Sequence, residues 1–570
     1  MICCSIRIVS ILFLCVTALA QDASTTVRLI VTTDLHGYIY PYDYYTAKPA
    51  ERGLAKAATL IAKARAEQPT GTILLDCGDT IQGSALETVY QSYIRTGHLP
   101  AGVQKKDDIG EDPMMLAMNY LRYDAMAVGN HEYNYGLKNL NRARNAAKFP
   151  WISANTELAS GSHERSFPPY VVKTVNGVKV GIVGITTPGV PAWEEEKHYR
   201  GYRFVAGKEA AEKAVAELKA KHAPDVIVIA AHAGLEDNGD MRGENMVRQI
   251  AKEVGGIDAI VFGHTHSTMA GHWIGDVLVM QPRNWGISIG VLDIALARQE
   301  NGKWKVTGKK SKLIPVTRDV EPDPEVLRIA APYHQAAEQY LSSPVANVSE
   351  RLDAHLSRVA DTALIDAVHE VQLKYAQADV SFAASFNPRV VFQKGPATVR
   401  EIAALYVYDN TLYGIEGTGK MVREALENGA RFYLTCPTEA CDVGPLVNPK
   451  VIGFNYDMAA GVEYEIDLRK PEGQRVVNLR YKGTPLRDDQ PLKIAVNNYR
   501  AGGSGGYTMF KSAKVYYRST EEIRDLMIRH FSETKQLPTK PDGNWRVVPV
   551  AAAAILSGEA KTESRRGENK

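Results

Sequence analysis

Five apolar runs in the first half of the chain each end in residues whose side chains can hold a cation. Residues 27–33 run into Asp34-Leu35-His36-Gly37, and residues 72–76 into Cys77-Gly78-Asp79. Residues 125–128 lead to Gly129-Asn130-His131-Glu132, residues 226–231 to His232, and residues 257–262 to Gly263-His264-Thr265-His266. A sixth run, 178–185, carries no such ending. Helical patterns over 53–67, 208–221 and 244–254 separate them. This alternation predicts an α/β layered domain. Ligands of an open α/β sheet bind beyond the carboxyl ends of its strands. The five endings are therefore expected along one edge of one sheet. Taken singly, an Asp-x-His or a Gly-Asn-His reads as a turn, because Asp and Asn bond their own backbone. Five such endings in one half of a chain are not explained that way. The flanking glycines allow sharp turns and close approach.

The donor types set the chemistry. Imidazoles and carboxylates without thiolates suit Zn, Mn or Fe rather than a structural cysteine site. So many donors exceed the needs of one ion. Two divalent ions about 3.5–4 Å apart clamp the attacking and leaving oxygens of a phosphoryl transfer and yield hydroxide near neutral pH.

The rest of the chain divides around this unit. Of 570 residues, 45% are hydrophobic and 23% charged, which excludes a disordered, collagen-like or multi-span membrane chain. The formal net charge of +2 gives no reason to expect a nucleic-acid polymer as partner. Arg7, the apolar run 8–16 and Ala18-Leu19-Ala20 read as a signal peptide over 1–20, with cleavage after Ala20 and no membrane anchoring afterwards. An uncleaved anchor is the alternative, though the run is short for a bilayer span. The α/β unit is expected over 26–318, a linker helix over 319–342, a second domain over 343–547 and a disordered tail over 548–570. In the second domain, helices are expected over 362–378, 419–429 and 519–533, and strands over 463–467 and 491–496. Cys3, Cys4 and Cys15 leave with the signal. Cys436 and Cys441 are spaced for a small disulfide loop, and Cys77 reads as a buried thiol.

The endings resemble the calcineurin-like metallophosphoesterases, whose pattern is Asp-x-His, Gly-Asp, Gly-Asn-His, His and Gly-His-x-His. The resemblance implies a four-layer α/β/β/α domain with two divalent ions such as Mn or Zn. Asp34, His36 and His266 would hold one ion, Asn130, His232 and His264 the other, and Asp79 would bridge them. His131 would stabilise the transition state and protonate the leaving oxygen.

An exported unit of this kind followed by a separate α+β domain resembles the bacterial 5′-nucleotidase family. There the second domain holds a nucleoside between two aromatic rings. Phe454-Asn455-Tyr456-Asp457 and Gly505-Gly506-Tyr507-Thr508 match those segments, which makes Tyr456 and Tyr507 the implied clamp. Asn387 and Arg389 are candidates for ribose or phosphate contacts. The stretches 79–84, 129–137, 244–245 and 454–457 resemble the 2′,3′-cyclic-nucleotide 2′-phosphodiesterase/3′-nucleotidase branch. In 5′-nucleotidases an Asp three residues after the catalytic His orients it; here that residue is Asn134. The resemblance implies a periplasmic or extracellular hydrolase that converts 2′,3′-cyclic nucleotides and 3′-nucleotides to nucleoside and phosphate. A 5′-nucleotidase or UDP-sugar hydrolase, a thiosulfohydrolase-like enzyme, and a nucleotide-binding protein with a degenerate site are the alternatives.

Overall fold

A computed structural model describes residues 24–568, apart from 101, 102, 104–108, 161–164, 195, 237–242 and 409. The signal-peptide reading, at 1–20, lies outside the described residues.

The first half holds two six-stranded sheets. Its strands are β1 (Ser24–Thr32), β2 (Thr72–Asp76), β3 (Ala125–Ala127), β4 (Trp151–Ile152), β5 (Tyr170–Val175) and β6 (Val178–Thr186). They continue with β7 (Val226–His232), β8 (Ala259–Phe262), β9 (Met269–Ile274), β10 (Val277–Gln281), β11 (Ser288–Arg298) and β12 (Trp304–Pro315). One sheet has the order β12-β11-β1-β2-β3-β4, the other β9-β10-β8-β7-β6-β5. Strands β1 to β4 run parallel, as do β6, β7, β8 and β10.

The expectation of a single sheet is thus corrected. Strands β1, β2 and β3 belong to one sheet, and β7 and β8 to the other. Both sheets are covered on both faces, so every run reads as continuously apolar. Alternation along each strand separates the two layers. Val27, Leu29 and Val31 meet Val226, Val228 and Ala230 between the sheets. Ile30 faces outward into a layer with α1 (Leu54–Glu67), α2 (Ala85–Thr96) and α3 (Pro113–Leu121). Ile227, Ile229 and Ala231 face the opposite layer, with α4 (Gly207–His222) and α5 (Val247–Glu253). The domain is therefore a four-layer α/β/β/α stack.

Helix α6 (Pro324–Leu341) follows. Asp323 caps it by accepting from the N–H groups of Glu325 and Val326, and Pro324 occupies its first turn. Its buried face, with Val326, Ala330, Tyr333 and Leu341, completes the outer layer beside α1 to α3.

The second half is α+β. A five-stranded sheet has the order Asp457–Ala460, Val380–Ala384, Pro491–Asn497, Thr411–Thr418 and Val515–Glu522. Helices Ala363–Ala376, Gly419–Ala430 and Ile523–Thr534 pack around it. Residues 519–522, expected at the start of a helix, finish the last of those strands. Cys436 and Cys441 are joined in a disulfide, and Cys77 is a buried free thiol whose pKa burial pushes well up. Among the described residues no helix is long and apolar enough to cross a membrane.

The tail departs from expectation. Residues Val550–Glu568 form a helix rather than a disordered segment. Ala552 and Leu556 are buried in the second-domain core beside Trp545 and Val547. The Glu559 carboxylate accepts from the N–H groups of Leu446 at 2.8 Å and Val447 at 3.2 Å. The Ala-rich run has high helix propensity, and these contacts give it a face to cover. Leu556→Ala is expected to destabilise the protein by about 2–5 kcal/mol in urea unfolding; a flexible tail would leave the midpoint unchanged.

Candidate metal centre

The carboxyl ends of β1, β2 and β3 open beside those of β7 and β8, so side chains from both sheets meet at one rim. Asp34, His36, Asp79, His264 and His266 all sit in left-handed backbone, with φ between 48° and 77°. Such residues cost about 1–3 kcal/mol each and persist where surrounding bonds over-determine them. Those bonds are present. Asp34 N–H donates to Gly78 O and His36 N–H to Asp79 O, both at 2.9 Å. The fully buried Glu132 carboxylate accepts from Gly129 N–H at 2.7 Å, Asp79 N–H at 3.0 Å and Thr80 N–H at 2.6 Å. Glu132 thereby ties the loop after β2 to the loop after β3. It belongs to the Gly-Asn-His-Glu stretch, but no sequence pattern marks a carboxylate for this task.

The donors form two groups, Asp34 with His36 and His266, and Asp79 with His232 and His264. In the first, His266 Nε2 lies 3.0 Å from His36 Nε2 and 3.4 Å from Asp34 Oδ1. In the second, His232 Nε2 lies 2.9 Å from Asp79 Oδ2 and 3.1 Å from Asn130 Oδ1. Asp79 Oδ2 is 4.0 Å from His36 Nε2, which places it between the groups. Backbone carbonyls orient two of the rings. His36 Nδ1–H donates to Gln82 O at 3.0 Å and His232 Nδ1–H to Cys77 O at 2.7 Å, which turns each Nε2 inward. The Glu244 carboxylate lies 2.9 Å from His264 Nε2.

Electrostatics match this arrangement. Burial and the neighbouring His266 hold His36 down to about 4, so its imidazole is neutral. Burial also pulls on His232, but Asp79, Asp34 and Glu132 outweigh it and push that ring up to about 10. Burial opposes ionisation of Asp34, yet the His266 contact draws it down to about 2. A divalent cation held by His232 and Asp79 would take the place of the proton between them. Buried carboxylates, inward imidazole nitrogens and the Asn130 amide oxygen fit such cations without rearrangement of ligand type.

His131 stands at the edge of this cluster, its Nε2 3.9 Å from Asp79 Oδ2 and its backbone N–H donating to Asp79 Oδ1 at 2.8 Å. Its Nδ1–H donates to Asn134 Oδ1 at 2.5 Å. The structure thus brings all nine first-domain candidates to one place.

The second-domain candidates fare differently. Tyr456 and Tyr507 are 1% and 0% exposed and cannot grip a nucleoside. Tyr456 stacks on Phe432 at 5.0 Å, and its hydroxyl donates to Tyr433 Oη at 2.9 Å, Tyr433 giving its own proton to Arg358 O. Tyr507 Oη–H donates to Asn455 O at 3.2 Å while accepting from Asp457 N–H at 3.0 Å. Asn387 is engaged within the protein, donating to Ala404 O of the helix Val399–Leu405 and accepting from Arg389 N–H of its own turn, and Arg389 is exposed there. The exposed rings are Tyr408, at 42%, and Tyr499, at 47%. Half-buried Phe386 and Phe454 pack against Tyr408 at 4.8 and 6.2 Å.

A buried ion pair ties the first matched segment to the helix Asn498–Ala501, just ahead of the second. Arg500 Nε and Nη2 each donate to the Asp457 carboxylate at 2.8 Å, with both side chains 1% exposed. Arg500 Nη2 also donates to Phe454 O at 2.6 Å.

The comparisons with known proteins follow the same division. Residues 27–268 match the calcineurin-like phosphoesterase family and residues 343–512 the 5′-nucleotidase C-terminal domain. A protein of Yersinia enterocolitica named 2′,3′-cyclic-nucleotide 2′-phosphodiesterase/3′-nucleotidase is 30% identical, covering 94% of this chain and 90% of its own. The chain belongs to the 5′-nucleotidase family of calcineurin-like metallophosphoesterases. It is a phosphoric-ester hydrolase. The trifunctional nucleotide phosphoesterase protein YfkN of Bacillus subtilis is 31% identical over 94% of this chain, which spans 40% of YfkN. Among solved structures, a putative 5′-nucleotidase from Staphylococcus aureus superposes with a TM-score of 0.68 at 26% identity, over 92% of this chain and all of that one. Calcineurin-like phosphoesterases use a dinuclear metal site, and the two Asp/His groups at this rim are candidates to form one.

Asp457→Asn is expected to destabilise the protein by about 3–5 kcal/mol, because it leaves the Arg500 charge buried and unpaired. Thermal unfolding reads this; a change within the noise would show that the pair is dispensable.

Proposed function

We propose that this chain is an exported nucleotidase that hydrolyses 2′,3′-cyclic nucleotides and 3′-nucleotides to nucleoside and phosphate. The observation that carries the reading is the placement of Asp79 between two Asp/His groups, with His131 beside it and an amide, Asn134, on the far side of that ring. The relative from Yersinia enterocolitica, which shares the whole two-domain plan, bears the name of that activity. The Cys436–Cys441 disulfide and the apolar run at the start of the chain support export.

Asp34, His36 and His266 would hold one divalent ion, and Asn130, His232 and His264 a second, with Asp79 shared. When bound, such a pair would lower the pKa of water and neutralise negative charge on the phosphoryl oxygens. The residues of the chain do the rest. Water adds at phosphorus, the P–O2′ bond of the cyclic ester breaks, and the ribose oxygen takes a proton. His131, its Nδ1–H held by Asn134, is placed to give that proton from Nε2 when the ring carries a proton on both nitrogens. The resulting 3′-ester is cleaved in the same way. The exposed rings of Tyr408 and Tyr499, with Phe454, supply the surface for the base; stacking tolerates any base.

The deciding assay is phosphate release by the mature protein with Mn²⁺ or Zn²⁺ on 3′-AMP, 5′-AMP, UDP-glucose and 2′,3′-cyclic AMP, the last also followed by chromatography. Preference for the cyclic and 3′ substrates is expected. Preference for 5′-AMP or UDP-glucose would keep the metal centre and replace the substrate assignment. Asp79→Ala is expected to abolish turnover and to lower metal content together, measured by elemental analysis. Tyr499→Ala should raise KM about five-fold or more, corresponding to about 1 kcal/mol of lost stacking, with kcat little changed; an unaltered KM would reject the aromatic surface.

A further inference from the structure

The group that orients His131 does not end at Asn134. Asn134 Oδ1 accepts from His131 Nδ1–H, and Asn134 Nδ2 donates to Glu194 Oε1. The other oxygen of that carboxylate, Oε2, lies 2.7 Å from His198 Nδ1, one turn later. The Glu194 side chain is 4% exposed and that of His198 14%. Glu194 follows the short helix Val190–Trp193, where its N–H donates to Val190 O. Four side chains from two separate loops thus form one line leading from the metal centre into the domain.

The donor and acceptor roles along this line are forced from its far end. An ionised carboxylate only accepts, whereas an amide has a donor end and an acceptor end. Glu194 therefore turns the NH₂ end of Asn134 toward itself and the carbonyl end toward His131. A carbonyl only accepts, so His131 must keep a proton on Nδ1 in both its neutral and its cationic form, and Nε2, facing Asp79 and the reaction, is the nitrogen that gains and gives up the second proton. Without Glu194 the amide has no fixed sense, and a reversed amide would present a donor to Nδ1 and select the opposite tautomer. The carboxylate also polarises the amide between them, since linked hydrogen bonds strengthen one another.

We propose that Glu194 is a positioning residue for His131 that acts through Asn134, so that a buried carboxylate one residue further out does the work of the Asp found next to the catalytic His in 5′-nucleotidases. The proposal rests on the nucleotidase reading only for its assay substrate. His198 holds the second oxygen of Glu194 and keeps the carboxylate aimed at the amide.

The test inverts the line. Glu194→Ala is expected to lower kcat about ten-fold or more, within the range of general acid–base assistance, while KM stays within two-fold. Asn134→Asp alone brings two carboxylates into contact, and like charges there disfavour the working geometry. Combined with Glu194→Gln, the order becomes carboxylate next to His131 and amide behind it. The double variant should recover kcat to within about three-fold of the parent protein, well above either single change, which is a coupling that independent sites do not show. Metal content and Tm are measured for every variant. A double variant no better than its poorer parent, or a Glu194→Ala protein with unchanged kcat, would overturn the proposal. The same variants are assayed on p-nitrophenyl phosphate. Turnover of that ester without turnover of 3′-AMP would remove the nucleotide reading, and the rescue would then be judged on the simpler substrate.

Discussion

The Glu132 carboxylate, buried where the loops after two neighbouring strands meet, is the contact on which the centre depends. It gathers backbone N–H groups of Gly129, Asp79 and Thr80, and so fixes where the Asp79 side chain points. A buried carboxylate is costly unless bonded, and these donors offset its desolvation. The Asp79 carboxylate then receives the His131 N–H and lies against His232 and His36. Loop geometry, ligand position and the placing of His131 therefore share one origin. Only the inner layer between the sheets brings His232 and the Gly263–His266 loop within reach of them.

The candidate metal donors were legible because their chemistry admits few residue types and because strand ends are where such a fold presents ligands. The pairing of strands was not. β1 and β7 are both buried on two faces, and an apolar run of that kind is the same whether its neighbours come from one sheet or two. The left-handed backbone at these residues was equally hidden, since even Asp and His, though enriched in it, adopt it uncommonly and no local pattern announces it.

In the second domain the aromatic character of the two segments was legible, but not which ring faces solvent. A short 3-10 turn at Gly453–Asn455 and left-handed glycines at 505 and 506 shift the phase of each segment. Tyr456 and Tyr507 are turned into the core, and Phe454 and Tyr499 lie outward of them. The Arg500–Asp457 pair that sets this phase joins residues 43 apart in sequence. The tail was misread for a related reason: its composition is that of a solvated segment, and its helix is held by tertiary partners at Leu446 and Trp545.

The left-handed conformations at Asp34, His36, Asp79, His264 and His266 also bear on how a chain like this one diverges. Glycine alone adopts that backbone freely, and glycine carries no donor atom. At each of these five positions the replacement that best relieves the backbone is also one that removes a candidate ligand. Selection for a firmer fold and selection for chemistry are thus set against each other residue by residue. Once the activity is no longer needed, loss of the centre is the downhill direction of drift.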